Sequence, residues 1–269
     1  MREIHKKERD FHDKWADLQN IDDIGIDSFF EATTALENKY IINQISKAGG
    51  LKDKKILDVG CGLGESAIYF AQKGANVIAI DTSSGMLNFT DKLAKNKDIA
   101  ERLELLVMSA DDDWPWVNQF DYIYAANVFH HVANKKTFLQ NINQALKPGG
   151  SFFIWDPLKY NPIINIYRTI AQEVRTVDES PIGRKDVSLI KKYFTNIEIH
   201  YFWLLTLIIF VKYFLSGIDP NKERYWKRIY REKSMELHWW RKLEYLDHFL
   251  CRTPFLKWLC WNIVIYGKK

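Results

Sequence analysis

The sequence predicts a doubly wound α/β protein, with a mostly parallel sheet covered by helices on both faces. Three observations carry that expectation. An apolar strand runs through a glycine-rich turn into a helix at 55–71 (KILDVGCGLGESAIYFA). A second apolar run, 75–81 (ANVIAID), ends in Asp81, 21 residues after Gly60, the length that one strand–helix–strand unit requires. Three more strand-like runs, 103–108, 120–126 and 151–155, alternate with helical segments, a pattern built with right-handed crossovers.

The first fifty residues read as an N-terminal helical cap (1–50). Phe11, Trp15 and Leu18 recur at helical spacing, as do Ala35, Leu36, Tyr40, Ile41 and Ile45, and Gly49-Gly50 ends the second helix. Packing onto the sheet edge explains this pattern as well as a binding role does, so His12 and Trp15 rank second as site residues. The charged start (MREIHKKERDFHDKW) lacks the apolar centre of a signal peptide, which predicts a cytoplasmic protein. With 269 residues, 47% of them hydrophobic, the chain can build one large core plus an embellishment. A net charge of +4 is too small to call for nucleic acid. Cys61, Cys251 and Cys260 show neither a pairing nor a metal-ligand spacing, so no metal is expected.

In the turn, Gly60, Gly62 and Gly64 alternate, and Ala67, Ile68, Phe70 and Ala71 are spaced to pack on the sheet. A Cβ there would hold the backbone away from a ligand. The dinucleotide fingerprint is G-x-G-x-x-G. Here the turn is G-x-G-x-G with Asp58 two residues ahead of it, and a carboxylate at that place can face a ligand's ammonium group. That argues against a nicotinamide-dependent oxidoreductase. Taken with Asp81 and an LKPGG turn before the fifth strand, residues 51–156 resemble the class I S-adenosylmethionine-dependent methyltransferases.

The resemblance implies a Rossmann-like seven-stranded sheet whose last strand is antiparallel. It also implies S-adenosyl-L-methionine as cofactor and S-adenosyl-L-homocysteine as product. The cofactor residues it marks are Asp58, Gly60, Cys61, Gly62, Gly64, Asp81, Thr82, Met86, Ala110, Asp111 and Asn127. Asp81 would hold the ribose hydroxyl pair, unless it caps the helix that Thr82-Ser83-Ser84 opens. Met86 would touch the adenine, and an acid in the turn after the third strand would meet the adenine amino group. Asp112 and Asp113 compete with Asp111 for that role. In such proteins N-terminal helices cap the cofactor.

Beyond the fourth strand stand Asn127, Val128, Phe129, His130 and His131, followed by a helix at 134–146. His131 is the candidate general base, and His130 is either a second one or a packed core histidine. The 157–185 insertion carries Tyr160, Asn161, Asn165, Arg168, Glu173, Arg175, Asp178 and Glu179 at helical spacing. Tyr160, Tyr167 and Arg168 are pocket candidates, with Arg168 or Arg175 able to hold a phosphate or carboxylate. Asp156-Pro157 resembles the D-P-P-Y motif of amino-methyltransferases acting on nucleic acids, but follows the wrong strand and is set aside.

Runs at 196–203 and 259–266 complete the core (51–203 with closing strand 259–269), and 204–258 is a helical insertion between them. Its first part, 204–215 (LLTLIIFVKYFL), is almost wholly apolar, interrupted by Lys212, and shorter than the roughly 20 residues that span a bilayer. A basic aromatic stretch follows, and residues 212–257 hold 11 Lys/Arg against 6 Asp/Glu. Peripheral contact of 204–257 with the inner face of a membrane, a lid and a homodimer surface all suit this composition, a nucleic-acid groove less so. The expected activity is methyl transfer to oxygen or nitrogen of a small-molecule or lipid-like acceptor. A non-catalytic cofactor-binding regulator is the alternative.

Overall fold

The computed structural model describes residues 3–174, 179–231 and 238–269. Seven strands, β1 (Lys55–Val59), β2 (Asn76–Asp81), β3 (Leu103–Val107), β4 (Phe120–Ala126), β5 (Leu146–Pro157), β6 (Ile197–Phe202) and β7 (Asn262–Lys268), form one sheet. Their order is β3-β2-β1-β4-β5-β7-β6. The first five run parallel, and β7 is antiparallel to both neighbours. Ile56 and Ala79 enter the core on one face, Leu57, Ile80 and Ile123 on the other. Burial on both faces is why these strands are continuous apolar runs rather than alternating ones.

Two strand boundaries differ from the sequence reading. Residues 146–150 do not form a free turn: Leu146 already pairs with Phe120, the register shifts, and Ser151 pairs with Tyr122. The closing strand begins at Asn262 rather than at 259, because Leu256–Leu259 coils into a 3₁₀ turn.

Three helices precede the sheet: α1 (Glu3–Asp17), α2 (Ile26–Glu31) and α3 (Leu36–Lys47). Leu18, expected on the apolar face of the first, lies past its last turn and is 81% exposed. Between the strands run α4 (Glu65–Gln72), α5 (Ser84–Asn96) and α6 (Lys135–Ala145). Asp13 of α1 fastens that helix to the start of α5, its Oδ1 accepting from Ser83 Oγ at 2.5 Å and Gly85 N at 2.9 Å.

Between β5 and β6 lie α7 (Pro162–Ile170) and α8 (Arg184–Tyr193). Between β6 and β7 lie α9 (Ile208–Leu215), α10 (Tyr225–Arg228) and α11 (His238–Leu250). The two insertions share a core in which Ile164 and Tyr167 pack with Trp203, Phe210, Tyr225 and Trp240. In the apolar stretch 204–215, which suited a membrane, lid or dimer surface, Leu207 and Phe210 are instead spent in this core. Ile208 is 53% exposed, and Val211, Phe214 and Leu215 are also exposed. The buried carboxylate of Asp247, on α11, ties down the start of the insertion by accepting from the backbone N–H of Leu204, Leu205 and Thr206 at 3.1, 2.6 and 3.0 Å.

The spacing of the cysteines suggested no pair, yet the fold brings the Sγ atoms of Cys251 and Cys260 to 3.2 Å as free buried thiols. Among the described residues no helix is long and apolar enough to cross a membrane. Arg175, Asp178 and Lys233 lie outside the described residues.

Candidate active site

A cavity of about 310 Å³ opens at the carboxyl ends of β1, β2 and β4, where the strand order reverses about β1. Asp58 stands at its floor, 1% exposed, with Ser66 Oγ donating to it at 2.5 Å. Burial pushes its carboxyl up to about 7, the negative charges of Asp81 and Glu65 adding to the rise and the Ser66 bond opposing it. Gly60 is left-handed (φ +65°), and a Cβ on it would lie 2.4 Å from Val128 Cγ2. Gly62 is also left-handed (φ +54°), but nothing stands within 4 Å of where its Cβ would be. Gly60 thus serves close packing, and Gly62 leaves backbone open to a ligand. Gly64 does not line the cavity; it opens α4 against Thr90.

Asp81 spans the turn, its Oδ2 accepting from Gly62 N and its Oδ1 from Ser83 N, both at 2.9 Å. The cap of α5 is Ser83, whose Oγ accepts from Met86 N at 3.0 Å, so Asp81 is not that helix's cap. Cys61, Thr82, Met86 and Ala110 line the same space. Of the three consecutive acids only Asp111 reaches it, and its carboxylate also accepts from Ala133 N at 3.1 Å and Asn134 N at 2.6 Å. Asp112 turns away to Ser109 N at 2.8 Å.

At the tip of β4, Asn127 adopts φ +56° and donates its N–H to Trp155 O at 2.7 Å. A non-glycine residue held there marks a turn that its surroundings over-determine. The turn brings both His130 and His131 to the cavity, ring centroids 4.0 Å apart. His130 is 6% exposed and its Nδ1 bonds Asp156, the acid that the sequence reading set aside. Asp156 also accepts from Phe129 N at 3.2 Å and His130 N at 3.1 Å. Burial pushes its carboxyl up to about 7 against those bonds. Glu179 completes a trio in which the donor atoms of His130, His131 and Glu179 lie within 4.8 Å of one another. Among the described residues it is the one cluster with the groups to hold a metal ion, and it suits proton transfer equally.

His12, Trp15, Tyr167 and Arg168 all line the cavity, but Tyr160 does not. Its ring packs on Trp258 and its hydroxyl accepts from Arg184 N at 3.4 Å, which removes it from the catalytic set. Arg168 spends part of its guanidinium on Asn165 Oδ1 at 2.9 Å. Several lining residues went unnoticed in the sequence: Phe29, Trp155, Arg224, Tyr230, Trp261 and Asn262. Asn262 Nδ2 donates to Glu37 Oε1 at 2.6 Å, and burial pushes the Glu37 carboxyl up to about 7. No local signal marked Trp261 and Asn262, because β7 reaches the site only by slotting in beside β5.

An acid ahead of a G-x-G-x-G turn, a second acid at the next tip and an antiparallel β7 together define the class I methyltransferase fold. Residues 57–154 match a family model described as a methyltransferase domain, and that segment is a class I S-adenosylmethionine-dependent methyltransferase domain. The ubiquinone biosynthesis O-methyltransferase of Acinetobacter baylyi is 29% identical over 126 residues, which is 47% of this chain and 52% of that protein. Phosphoethanolamine N-methyltransferase 1 of Triticum aestivum is 31% identical over 47% of this chain and 24% of its own length. The chain therefore spans about half, or less, of the curated relatives it matches. Among solved structures, the Haemonchus contortus phosphoethanolamine N-methyltransferase 2, in complex with phosphomonomethylethanolamine and S-adenosylhomocysteine, is 21% identical with a TM-score of 0.56, covering 97% of this chain and 59% of that one. The YcgJ protein of Bacillus subtilis, 18% identical with a TM-score of 0.52, covers 86% and 98%. At such identities these likenesses speak for the fold alone.

Proposed function

We propose that the protein transfers a methyl group from S-adenosyl-L-methionine to oxygen or nitrogen of a small-molecule acceptor. The observation that carries this is the placing of Asp58, Gly62 and Asp81 at consecutive strand tips, in a cavity that continues to His130 and His131. The residues fit the cofactor. A desolvated carboxylate at Asp58 gains most from an arriving ammonium group, Gly62 leaves room, and Asp81 stands where a ribose diol would meet it. When bound, the cofactor supplies an activated methyl on a sulfonium. Asp58 holds its amino group, Asp81 the ribose, Asp111 and Met86 the adenine. His131 takes the proton from the acceptor, and aromatic walls from Trp155, Tyr167 and Trp261 exclude water. The ubiquinone and phosphoethanolamine methyltransferases it resembles are named for small-molecule acceptors, which supports the same class here.

Calorimetry with S-adenosyl-L-homocysteine tests the reading. Asp81→Ala should weaken binding by about 10–100-fold, the worth of charge-assisted hydrogen bonds of roughly 1.5–3 kcal/mol. Unchanged affinity would remove Asp81 from the ribose. Protonation adds a signature. The folded pKa of Asp58, about 7, lies above the ordinary 3.8, so the free protein holds a proton there that the unfolded chain gives up. Asp58 therefore favours the folded state at low pH, and that contribution is lost as pH rises from about 3.8 to 7. Binding an ammonium group needs the ionised form. Affinity should thus fall as pH drops below 7, with a proton released near pH 6 that is read as a buffer-dependent enthalpy. Equal enthalpies in two buffers of different ionisation heat would refute the ammonium contact.

A lipid-like acceptor is the second reading, and exposed apolar side chains support it. Leu215 is 78%, Phe249 69% and Phe255 84% exposed, with Arg241, Lys242 and Arg252 on the same segment. Peripheral contact through 204–257 should make the protein float with anionic vesicles at low salt and release as salt screens the charges. Protein that stays in the soluble fraction at low salt leaves a lid or a second copy as the cover.

A further inference from the structure

Two cations of the helical insertion reach the cavity from α10 and its N-cap, and among the described residues only one of them has an anion. Arg224 lies 3.9 Å above the Trp15 ring and 5.8 Å from that of Trp226; Lys227 lies 4.6 and 5.4 Å from the same rings. Lys227 Nζ pairs with Glu65 Oε1 at 3.1 Å. Among the described residues no carboxylate comes within ion-pair distance of Arg224 and no acceptor receives its N–H groups. Burial pulls its guanidinium down to about 10, with Tyr167 and Glu179 close enough to oppose the fall. It remains charged at neutral pH.

A half-buried guanidinium with no ion-pair partner among the described residues gains from an arriving anion. Its fork matches a carboxylate or a phosphate in a two-point contact. Two sources of such a group meet at this cavity: the α-carboxylate of the cofactor and an anionic group on the acceptor. The surroundings decide between them. Glu179 lines the cavity in a trio with His130 and His131 and is close enough to act on Arg224, which favours the acceptor over the cofactor's carboxylate. The aromatic faces of Trp15 and Trp226 hold the cation without neutralising it.

We propose that Arg224 is the anion subsite for the methyl acceptor, which carries a phosphate or carboxylate group that the guanidinium holds while its methyl-accepting atom lies toward His131. The proposal rests on the methyl-transfer reading above and deepens it to an anionic acceptor.

The test uses protein saturated with S-adenosyl-L-homocysteine, followed by tryptophan fluorescence and thermal midpoint. The probes are glycerol 3-phosphate, glycerate and uncharged glycerol, and separately phosphatidylglycerol and phosphatidylcholine vesicles. A response to the anionic probes and not to the neutral ones is expected, weakened about tenfold or more in Arg224→Gln and largely kept in Arg224→Lys. Affinity for S-adenosyl-L-homocysteine should stay within about twofold in both variants, which also shows that they fold. A response confined to phosphatidylglycerol vesicles would place the anion on a lipid headgroup; one to the soluble probes would place it on a free metabolite. An undiminished anion response in Arg224→Gln overturns the proposal, as does silence of the wild type toward every anionic probe. Loss of S-adenosyl-L-homocysteine affinity in Arg224→Gln overturns it too, by assigning the guanidinium to the cofactor's carboxylate. Wild-type protein that binds no S-adenosyl-L-homocysteine at all would instead overturn the methyl-transfer reading, and the subsite with it.

Discussion

Replacing His131 by alanine is expected to lower the rate of methyl transfer by about 10²–10⁴ with little change in cofactor affinity. The reason lies in the pairing at the tip of β4. His130 is held through Nδ1 by the buried Asp156, so its ring is fixed, and the His131 ring lies tilted beside it, centroids 4.0 Å apart, half-buried and lining the cavity. A base in that place accepts a proton from a hydroxyl or ammonium as the methyl moves in line. The rate is best read in a single turnover with methyl-labelled cofactor, using an acceptor found by thermal-shift screening. A loss appearing only in melting temperature or cofactor affinity would make His131 structural. Near-normal transfer would mean that alignment alone suffices, as it can for an amine that is already basic. Asp156→Asn reports on the same unit: it disturbs the His130 tautomer, and if the three residues act together its loss will not add to that of His131→Ala.

How much of this site was legible depends on how locally each part is encoded. The glycine turn, Asp58 and Asp81 lie within one strand–helix–strand unit, where the chemistry of the cradle fixes residue type and spacing together. His131 could be read for the same reason, since it follows a strand whose tip must face the crevice. Asp156 was not singled out, because its contacts form only once β5 lies beside β4 and the 129–130 turn folds onto it. Asn262 and Arg224 are further still, more than a hundred residues from the glycine turn and brought back by the closing strand. Tyr160 failed in the opposite way. Helical spacing put it with Arg168, but α7 starts only at Pro162, capped by Asn161, so Tyr160 lies ahead of the helix and its direction is set by Arg184 instead. In 204–215 nearly every residue is apolar, so the pattern could not say which side is covered; Leu207 and Phe210 turn in, Ile208 and Val211 out.

Asp247→Ala is expected to destabilise the protein by roughly 3–5 kcal/mol, the largest stability effect expected of any single side chain in the insertion. The carboxylate is 3% exposed and accepts three successive backbone N–H groups, from Leu204, Leu205 and Thr206, together with the Thr206 hydroxyl. It does for this turn what a capping residue does for a helix start, but from 41–43 residues away in sequence. Alanine leaves buried donors with no acceptor, and the shared aromatic core, where Trp203 meets Trp240 at 5.7 Å, loses the link that sets its register. Asp247→Asn should cost less, because one oxygen still accepts while the amide opposes the remaining N–H groups. Urea unfolding followed by far-ultraviolet dichroism and by tryptophan fluorescence separates two routes. If the insertion opens by itself, fluorescence shifts before dichroism, and cofactor affinity falls with it because α10 and Trp261 help line the cavity. If both signals move together, insertion and sheet unfold as one unit. A loss below about 1 kcal/mol by either probe would mean that water satisfies the 204–206 turn and that the aromatic core alone holds the insertion in place.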